Sequence, residues 1–302
     1  MSTPESLDEP RSGFITSVGL RLHHLSHGPD SGPLVVLHHG FLDHARAWDR
    51  VAGGLAASGY RVVVPDARGH GDSDWVGPGG SYYFPDYLLD LHHLLATLGT
   101  GPLALIGHSM GGAVVMYWAA TFPDRVRCVV AMDGMGPPDV PPSSAPGHLR
   151  DFVASTSNAF ARRTAVSSRP MRTLEDAAAR LRQVDALIPE AEALRLAGHA
   201  TRVGPDGTLA WKYDPLHRAR AGVAFSLPVA RALWGAIRSP VLHLRAGKNP
   251  FILPDHSERL AAVRDVREVT LPHVGHNMHA HDPDAVVATI RSFLGVHLPA
   301  ED

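Results

Sequence analysis

Cysteine and lysine are nearly missing from this chain, and each scarcity excludes something. The single cysteine, Cys128, has no partner for an internal disulfide, which fits a reducing compartment. It stands in an apolar run, residues 126–132, and reads as a small core side chain. Lysine occurs only as Lys212 and Lys248, so arginine carries nearly all the positive charge; this is a composition bias without functional content. A formal net charge of −2 supplies no field for nucleic acid or an anionic membrane. No apolar run approaches the roughly 18 residues that span a bilayer. Segment 1–13 is polar, bears proline and lacks the apolar stretch of a secretory signal. The expected location is cytoplasmic.

Cofactor and metal signatures are lacking as well. Twenty histidines are present, but most are scattered singly, and the pairs at 23–24, 38–39 and 92–93 point neighbouring side chains apart. There is no H-E-x-x-H and no cysteine–histidine ligand cluster. The Gly-rich loop Asp66-Ala67-Arg68-Gly69-His70-Gly71-Asp72-Ser73 matches neither a phosphate loop nor a dinucleotide fingerprint. It reads as scaffold, with Asp66 and Arg68 tying down a turn. No metal or cofactor is expected. The expected partner is a small-molecule substrate, with no nucleic acid and no membrane; the oligomeric state is not encoded in any visible pattern.

What the chain does contain is a core. Hydrophobic residues make up 44% and charged ones 19%, the balance of a globular protein. A hairpin is predicted over residues 14–18 and 20–25, turning at Gly19. Strands are predicted at 34–38, 60–64, 103–106, 126–132, 241–245 and 266–271. Helices are predicted at 45–58, 84–98, 113–120, 255–263 and 283–294. Strand, helix, strand in this rhythm means right-handed parallel crossovers and an α/β fold. Between residues 136 and 146 the chain turns proline-rich, and to about 238 it is rich in Ala, Arg and Leu with helical spacing, as in 174–187 and 190–197. No strand is expected there, only a turn at Gly204-Pro205-Asp206-Gly207. The expected division is an α/β core of residues 1–136 and 239–302 with an inserted helical unit at 137–238.

The most informative stretch is Gly107-His108-Ser109-Met110-Gly111, a G-x-S-x-G between an apolar strand and a helix. A strand turning that sharply into a helix holds the central residue in a strained backbone, and the glycines remove side chains that would collide across the turn. Ser109 Oγ is thereby lifted clear at the positive end of a helix.

Together with His39-Gly40-Phe41 after an earlier strand, Asp66-x-Arg68-Gly69-x-Gly71-x-Ser73, and Gly275-His276 near the C-terminus, this elbow resembles the α/β-hydrolase superfamily. The match covers about residues 14–133 and 239–296. Phe41-Leu42-Asp43, Trp48-Asp49 and Gly111-Gly112 are most similar to its serine-hydrolase-like branch. The resemblance implies a mostly parallel, doubly wound sheet with the insertion as a helical cap over the active site. It implies Ser109 as nucleophile and His276 as general base, in the chain order Ser, acid, His. His273, His279 and His281 are the rivals for the base. The backbone amides of Phe41 and Met110 would form the oxyanion hole, where one such donor is worth about 2.7–4 kcal/mol.

The acid departs from the family pattern. Its usual loop reads Gly247-Lys248-Asn249-Pro250-Phe251 here, with Asn249 where an aspartate is expected. Asp133, at the end of the strand after Ser109, takes the role in one reading, as in some haloalkane dehalogenases. In a second, Asp255 reaches in from the next helix, where it otherwise serves as an N-terminal cap. In a third, the acid is absent, naturally or by deliberate inactivation. The resemblance implies a hydrolase of an ester, lactone or similarly activated carbonyl. A carbon–carbon bond hydrolase, a lyase or cofactor-free oxygenase, and a ligand-binding protein are the alternatives. The aromatics Phe152, Phe160, Trp211, Tyr213, Phe225 and Trp234 of the insertion suggest an apolar or aromatic ligand, unless they only dock the cap on the core.

Overall fold

A computed structural model describes residues 9–164, 170–249 and 253–300. Part of segment 1–13 and the Pro250-Phe251 end of the acid-loop motif lie outside them. The chain opens with β1 (Arg11–Ser17) and β2 (Leu20–His27), then β3 (Leu34–His38), α1 (Asp49–Ala56), β4 (Arg61–Pro65), α2 (Phe84–Leu98), β5 (Leu103–His108), α3 (Met110–Thr121) and β6 (Val126–Met132). There it leaves the sheet for α4 (Ala145–Thr164), α5 (Leu174–Val184), α6 (Glu190–Ala200), β7 (Thr201–Val203), β8 (Leu209–Trp211) and α7 (Leu227–Trp234). It returns with β9 (Val241–Ala246), α8 (His256–Ala261), β10 (Val266–Leu271), α9 (Met278–His281) and α10 (Pro283–His297).

Eight strands form one sheet in the order β1-β2-β4-β3-β5-β6-β9-β10. The pairs β3–β4, β3–β5, β5–β6, β6–β9 and β9–β10 are parallel, while β1–β2 and β2–β4 are antiparallel. The fold is therefore α/β with a mostly parallel sheet. The antiparallel edge starts as a hairpin in which Val18 and Gly19 both take positive φ, 46° and 81°, as two-residue hairpin turns require.

Period-two alternation sorts each strand between two cores. Val35, Leu37, Val62, Val64, Ala104, Ile106, Cys128 and Val130 pack on one face with α1 and α10. Val36, Val63, Leu103, Leu105, Val129 and Ala131 pack on the other with α2 and α3. Strands buried on both faces read as unbroken apolar runs, and helix α3 is buried nearly all round for the same reason. Burial pushes the Cys128 thiol up to about 12, which leaves it an inert core group.

The segment between β6 and β9 differs from expectation in one respect. It contains a two-stranded antiparallel sheet, β7–β8, folded around Gly204–Gly207 and extended by a bridge from Met171 to Leu209. Each strand is only three residues long, too short to show alternation. Helix α7 packs against α3 and delivers Ala230 and Trp234 into the second core. The helix predicted at 45–58 starts as a 3-10 turn, Ala45–Trp48, before α1.

Candidate active site

Ser109 is the residue between β5 and α3, with φ 52° and ψ −117°, a conformation that costs on the order of 1–3 kcal/mol for a non-glycine residue. Packing enforces it. A Cβ on Gly107 would lie 2.2 Å from the Gly111 carbonyl oxygen, and one on Gly111 would lie 2.3 Å from that of His38. No side chain fits at either position, so the strand and helix close on each other. The Ser109 amide donates to the Met132 carbonyl at 2.9 Å, and Gly112 and Gly134 meet backbone to backbone. The end of β6 is thereby clamped to the elbow.

Of the four non-glycine residues with positive φ among those described, only Val18 belongs to a hairpin; the other three are Ser109, Asp133 (45°) and Leu42 (61°). Strain is thus gathered at the carboxyl ends of β3, β5 and β6, where parallel sheets bind ligands.

Asp133 continues β6, and its amide donates to the Leu244 carbonyl at 3.0 Å. Its Oδ1 accepts from the Ala246 amide at 3.1 Å, and its Oδ2 accepts from Asn249 Nδ2 at 2.7 Å. Nδ1 of His276 lies 3.2 Å from the same Oδ2. The Asp133 side chain is 5% exposed and that of His276 37%, so a buried carboxylate faces an imidazole whose other edge is open. Asn249 Nδ2 also comes within 3.5 Å of His276 Nδ1. The residue at the family's usual acid position is therefore beside the imidazole but orients the carboxylate of Asp133.

The other histidines of this region are held elsewhere. His273 Nε2 pairs with Asp282 at 2.6 Å. His281 lies between Asp185 (3.0 Å) and the Gly275 amide, which donates to it at 3.0 Å. His279 is buried, stacked 4.9 Å from the Trp48 ring and 3.2 Å from Asp43 Oδ2. Burial opposes the charge on Asp43, yet the His279 contacts outweigh it and hold that carboxyl below its ordinary value. Asp255, the other candidate acid, makes no side-chain cap bond and pairs with Arg259 at 2.8 Å.

The residue before Ser109 contacts His276. Nε2 of His108 hydrogen-bonds the His276 carbonyl at 2.8 Å, and the two rings are 4.6 Å apart. No hydrogen bond joins Ser109 Oγ to a ring nitrogen among the described residues. Burial drives His108 well below the usual imidazole value, which disfavours its charged form.

The loop after β3 is pinned against the elbow. A Cβ on Gly40 would meet His108 Nδ1 at 2.7 Å and Ser109 Cβ at 3.3 Å. His39 Nδ1 donates to the Gly40 carbonyl (2.7 Å) and its Nε2 accepts from the Ala67 amide (2.9 Å). His70 Nε2 accepts from the Leu42 amide at 3.2 Å while its Nδ1 donates to the Arg68 carbonyl. His70 is the residue that sequence reasoning left inside a structural loop: it holds the peptide following Phe41. Met110, as the first residue of α3, has an amide without an intrahelical acceptor. Phe41 is 49% exposed.

Phe41 and Met110 line a cavity of about 160 Å³ with Tyr82, Tyr83, Tyr87 and Phe152. Of the aromatics expected to meet a ligand, only Phe152 is there. Trp234 is buried in the second core, Phe225 abuts Gly136 and Arg259, Trp211 stacks on Tyr213, and Phe160 faces Arg163. The tyrosines ahead of and within α2 take their place. Tyr82 and Tyr83 follow a Gly-rich stretch and Tyr87 sits in an amphipathic helix, a context that carried no signal of a pocket.

No helix among the described residues is long and apolar enough to cross a membrane. The family model described as "alpha/beta hydrolase fold" matches residues 33–185. The 3-hydroxybutyrate-oligomer hydrolase of Cupriavidus necator is 31% identical over 311 residues, an alignment covering 95% of this chain and 98% of that protein. Lipase LipV of Mycobacterium tuberculosis is 29% identical, with 91% and 98% covered. The solved thioesterase domain from the curacin biosynthetic pathway superposes with a TM-score of 0.84 at 24% identity, over 94% of this chain and 100% of that domain, a likeness of fold. With its topology, its strained elbow and these full-length likenesses, the chain belongs to the alpha/beta hydrolase fold family.

Proposed function

We propose that this α/β-hydrolase is a serine hydrolase that cleaves an ester, lactone or similarly activated carbonyl of a small apolar or aromatic substrate. The observation that carries the reading is the His276 imidazole facing the buried Asp133 carboxylate at 3.2 Å, beside an elbow whose half-buried serine stands at the head of α3. With Nδ1 engaged, Nε2 is the nitrogen that takes the proton as Ser109 Oγ attacks the carbonyl carbon. Asp133 stabilises the imidazolium that forms. The amides of Phe41 and Met110 receive the negative oxygen of the tetrahedral intermediate. His276 then returns the proton to the leaving alkoxide, and water repeats the sequence on the Ser109 acyl-enzyme.

The acyl group would occupy the cavity between Phe41, Met110 and Phe152, with residues 137–238 acting as a cap. The related hydrolase of 3-hydroxybutyrate oligomers and the related lipase support a carboxylic ester over other carbonyls. One observation favours a non-covalent alternative, a lyase or a ligand-binding protein: Ser109 Oγ makes no hydrogen bond to His276. Such bonds are often long without substrate. Labelling with a fluorophosphonate separates the two. An adduct on Ser109, with p-nitrophenyl ester turnover that S109A abolishes, is the expected result. A chain that is folded but neither labelled nor active on esters would end the serine-hydrolase reading.

A further inference from the structure

Among the described residues, three clusters of histidine and carboxylate bring one ligand atom per residue to within 4.8 Å of one another. Two have evident work. Asp66, in the cluster with His23 and Asp72, is saturated by His23 and by the amides of Ala45 and Asp72. Asp43, His108 and His279 lie under the elbow and support it. The third, His243, His256 and Glu268, takes no part in the reaction proposed above.

Its geometry follows from one strand–helix–strand unit. His243 on β9 and Glu268 on β10 are direct partners in the parallel register, so their side chains leave the same face of the sheet. His256 opens α8, on the crossover between those strands. Glu268 Oε2 lies 2.9 Å from His243 Nδ1 and 2.6 Å from His256 Nε2. The rings are 5.4 Å apart and inclined by 50°; they do not stack, and both nitrogens aim at one point. The side chains are 4%, 21% and 28% exposed, so the cluster is walled on the sheet side and open to water on the other.

We propose that His243 Nδ1, His256 Nε2 and a Glu268 carboxylate oxygen form a binding site for a transition-metal dication, with Zn²⁺ the best chemical fit. Two imidazoles and one carboxylate are ligands of borderline softness, suited to Zn²⁺ or Co²⁺ and poorly suited to Mg²⁺ or Ca²⁺. Metal–ligand bonds near 2.0–2.1 Å in a tetrahedron set ligand atoms about 3.3 Å apart. The nitrogen–oxygen separations of 2.9 and 2.6 Å need to open by about 0.4 and about 0.7 Å on the two sides of Glu268. Water at the open side completes the shell. In the metal-free arrangement both nitrogens hydrogen-bond Glu268, so each imidazole binds the ion only once its proton moves to the other ring nitrogen or leaves.

The test uses the full chain without a histidine tag, stripped with EDTA, titrated with Zn²⁺ by calorimetry and with Co²⁺ by visible absorption. One ion per chain, a tetrahedral Co²⁺ spectrum and a rise in Tm of about 5 °C at a hundredfold excess over Kd are expected, with no response to Mg²⁺. H256A and E268Q each abolish all three signals. H273A, which removes a histidine paired to a single carboxylate, keeps them, and so does S109A. E268Q retains an acceptor for an imidazole, and its circular dichroism and unliganded Tm show that the fold survives. Absence of saturable Zn²⁺ or Co²⁺ binding in the wild type, or undiminished binding in both H256A and E268Q, overturns the site. Because S109A binds as the wild type does, the result is independent of the catalytic reading.

Discussion

Replacing Asp133 by asparagine keeps the shape of the side chain and removes its charge. Oδ1 continues to accept from the Ala246 amide, but the group facing Asn249 and His276 becomes either a second donor or an uncharged acceptor. Facing two nitrogens at 2.7 and 3.2 Å, an amide cannot stabilise imidazolium and permits the wrong tautomer. In a serine triad that exchange lowers kcat by about 10⁴, or about 5 kcal/mol of barrier. The loss should fall on kcat, with KM nearly unchanged, since Asp133 does not touch substrate in this scheme. The informative companion is the exchange D133N/N249D. Asn249 Nδ2 lies 3.5 Å from His276 Nδ1, so a carboxylate there has a route to the same imidazole and should recover much of the loss. N249D alone sets two carboxylates within hydrogen-bond distance, where like charges force one to hold a proton, and it should move the acid limb of the pH–rate profile upward. The assay is p-nitrophenyl butyrate hydrolysis across pH, with circular dichroism to confirm folding. Should D133N keep activity within about threefold of wild type, a range far short of the triad effect, Asp133 is not the acid.

Three further outcomes follow from buried polar contacts. H70A removes the acceptor of the Leu42 amide and should lower kcat/KM about 10–100-fold, the range for an orphaned buried donor; H70Q, which keeps an acceptor, should recover part of it. Arg68 grips Asp90 through two bonds of 2.6 and 2.7 Å in a nearly buried pair, so R68M should cost about 3–5 kcal/mol by stranding the carboxylate, read by urea denaturation. Burial resists the charge on Asp214, but Arg163, the Leu216 amide and Tyr82 outweigh it and hold its carboxyl below the ordinary value. A group depressed in the folded state contributes stability above its unfolded pKa, near 4, and loses it as pH falls toward the folded value. Tm should therefore drop between about pH 5 and 2, and D214N, less stable at neutral pH, should show a shallower drop.

Local features were legible because local physics decides them. Gly107, Ser109 and Gly111 announce a strained turn: a side chain at Gly107 meets the backbone of Gly111 one turn along the chain, although the clash that bars one at Gly111 is with His38 on a neighbouring strand. The strands at 34–38 and 126–132 stand out because burial on both faces demands apolar runs, residues 34–37 and 128–132. β7 and β8 do not, because three residues cannot show a period of two. The cavity tyrosines were silent for another reason: Tyr82 and Tyr83 precede a helix in a polar stretch, and only the fold of the segment after β6 over them makes a cavity wall.

Composition and pattern by themselves determined an α/β chain with a serine at an elbow, because those properties depend on neighbours along the backbone. Tertiary structure alone decided which carboxylate meets His276, since Asp133, Asn249 and His276 come from three separate loops and converge only when β6 and β9 pair. The same holds for His243, His256 and Glu268, which register between β9 and β10 brings to one point. Hydrogen bonds and metal ligands act over about 3 Å, and distances of that size between remote residues exist only after the sheet has formed.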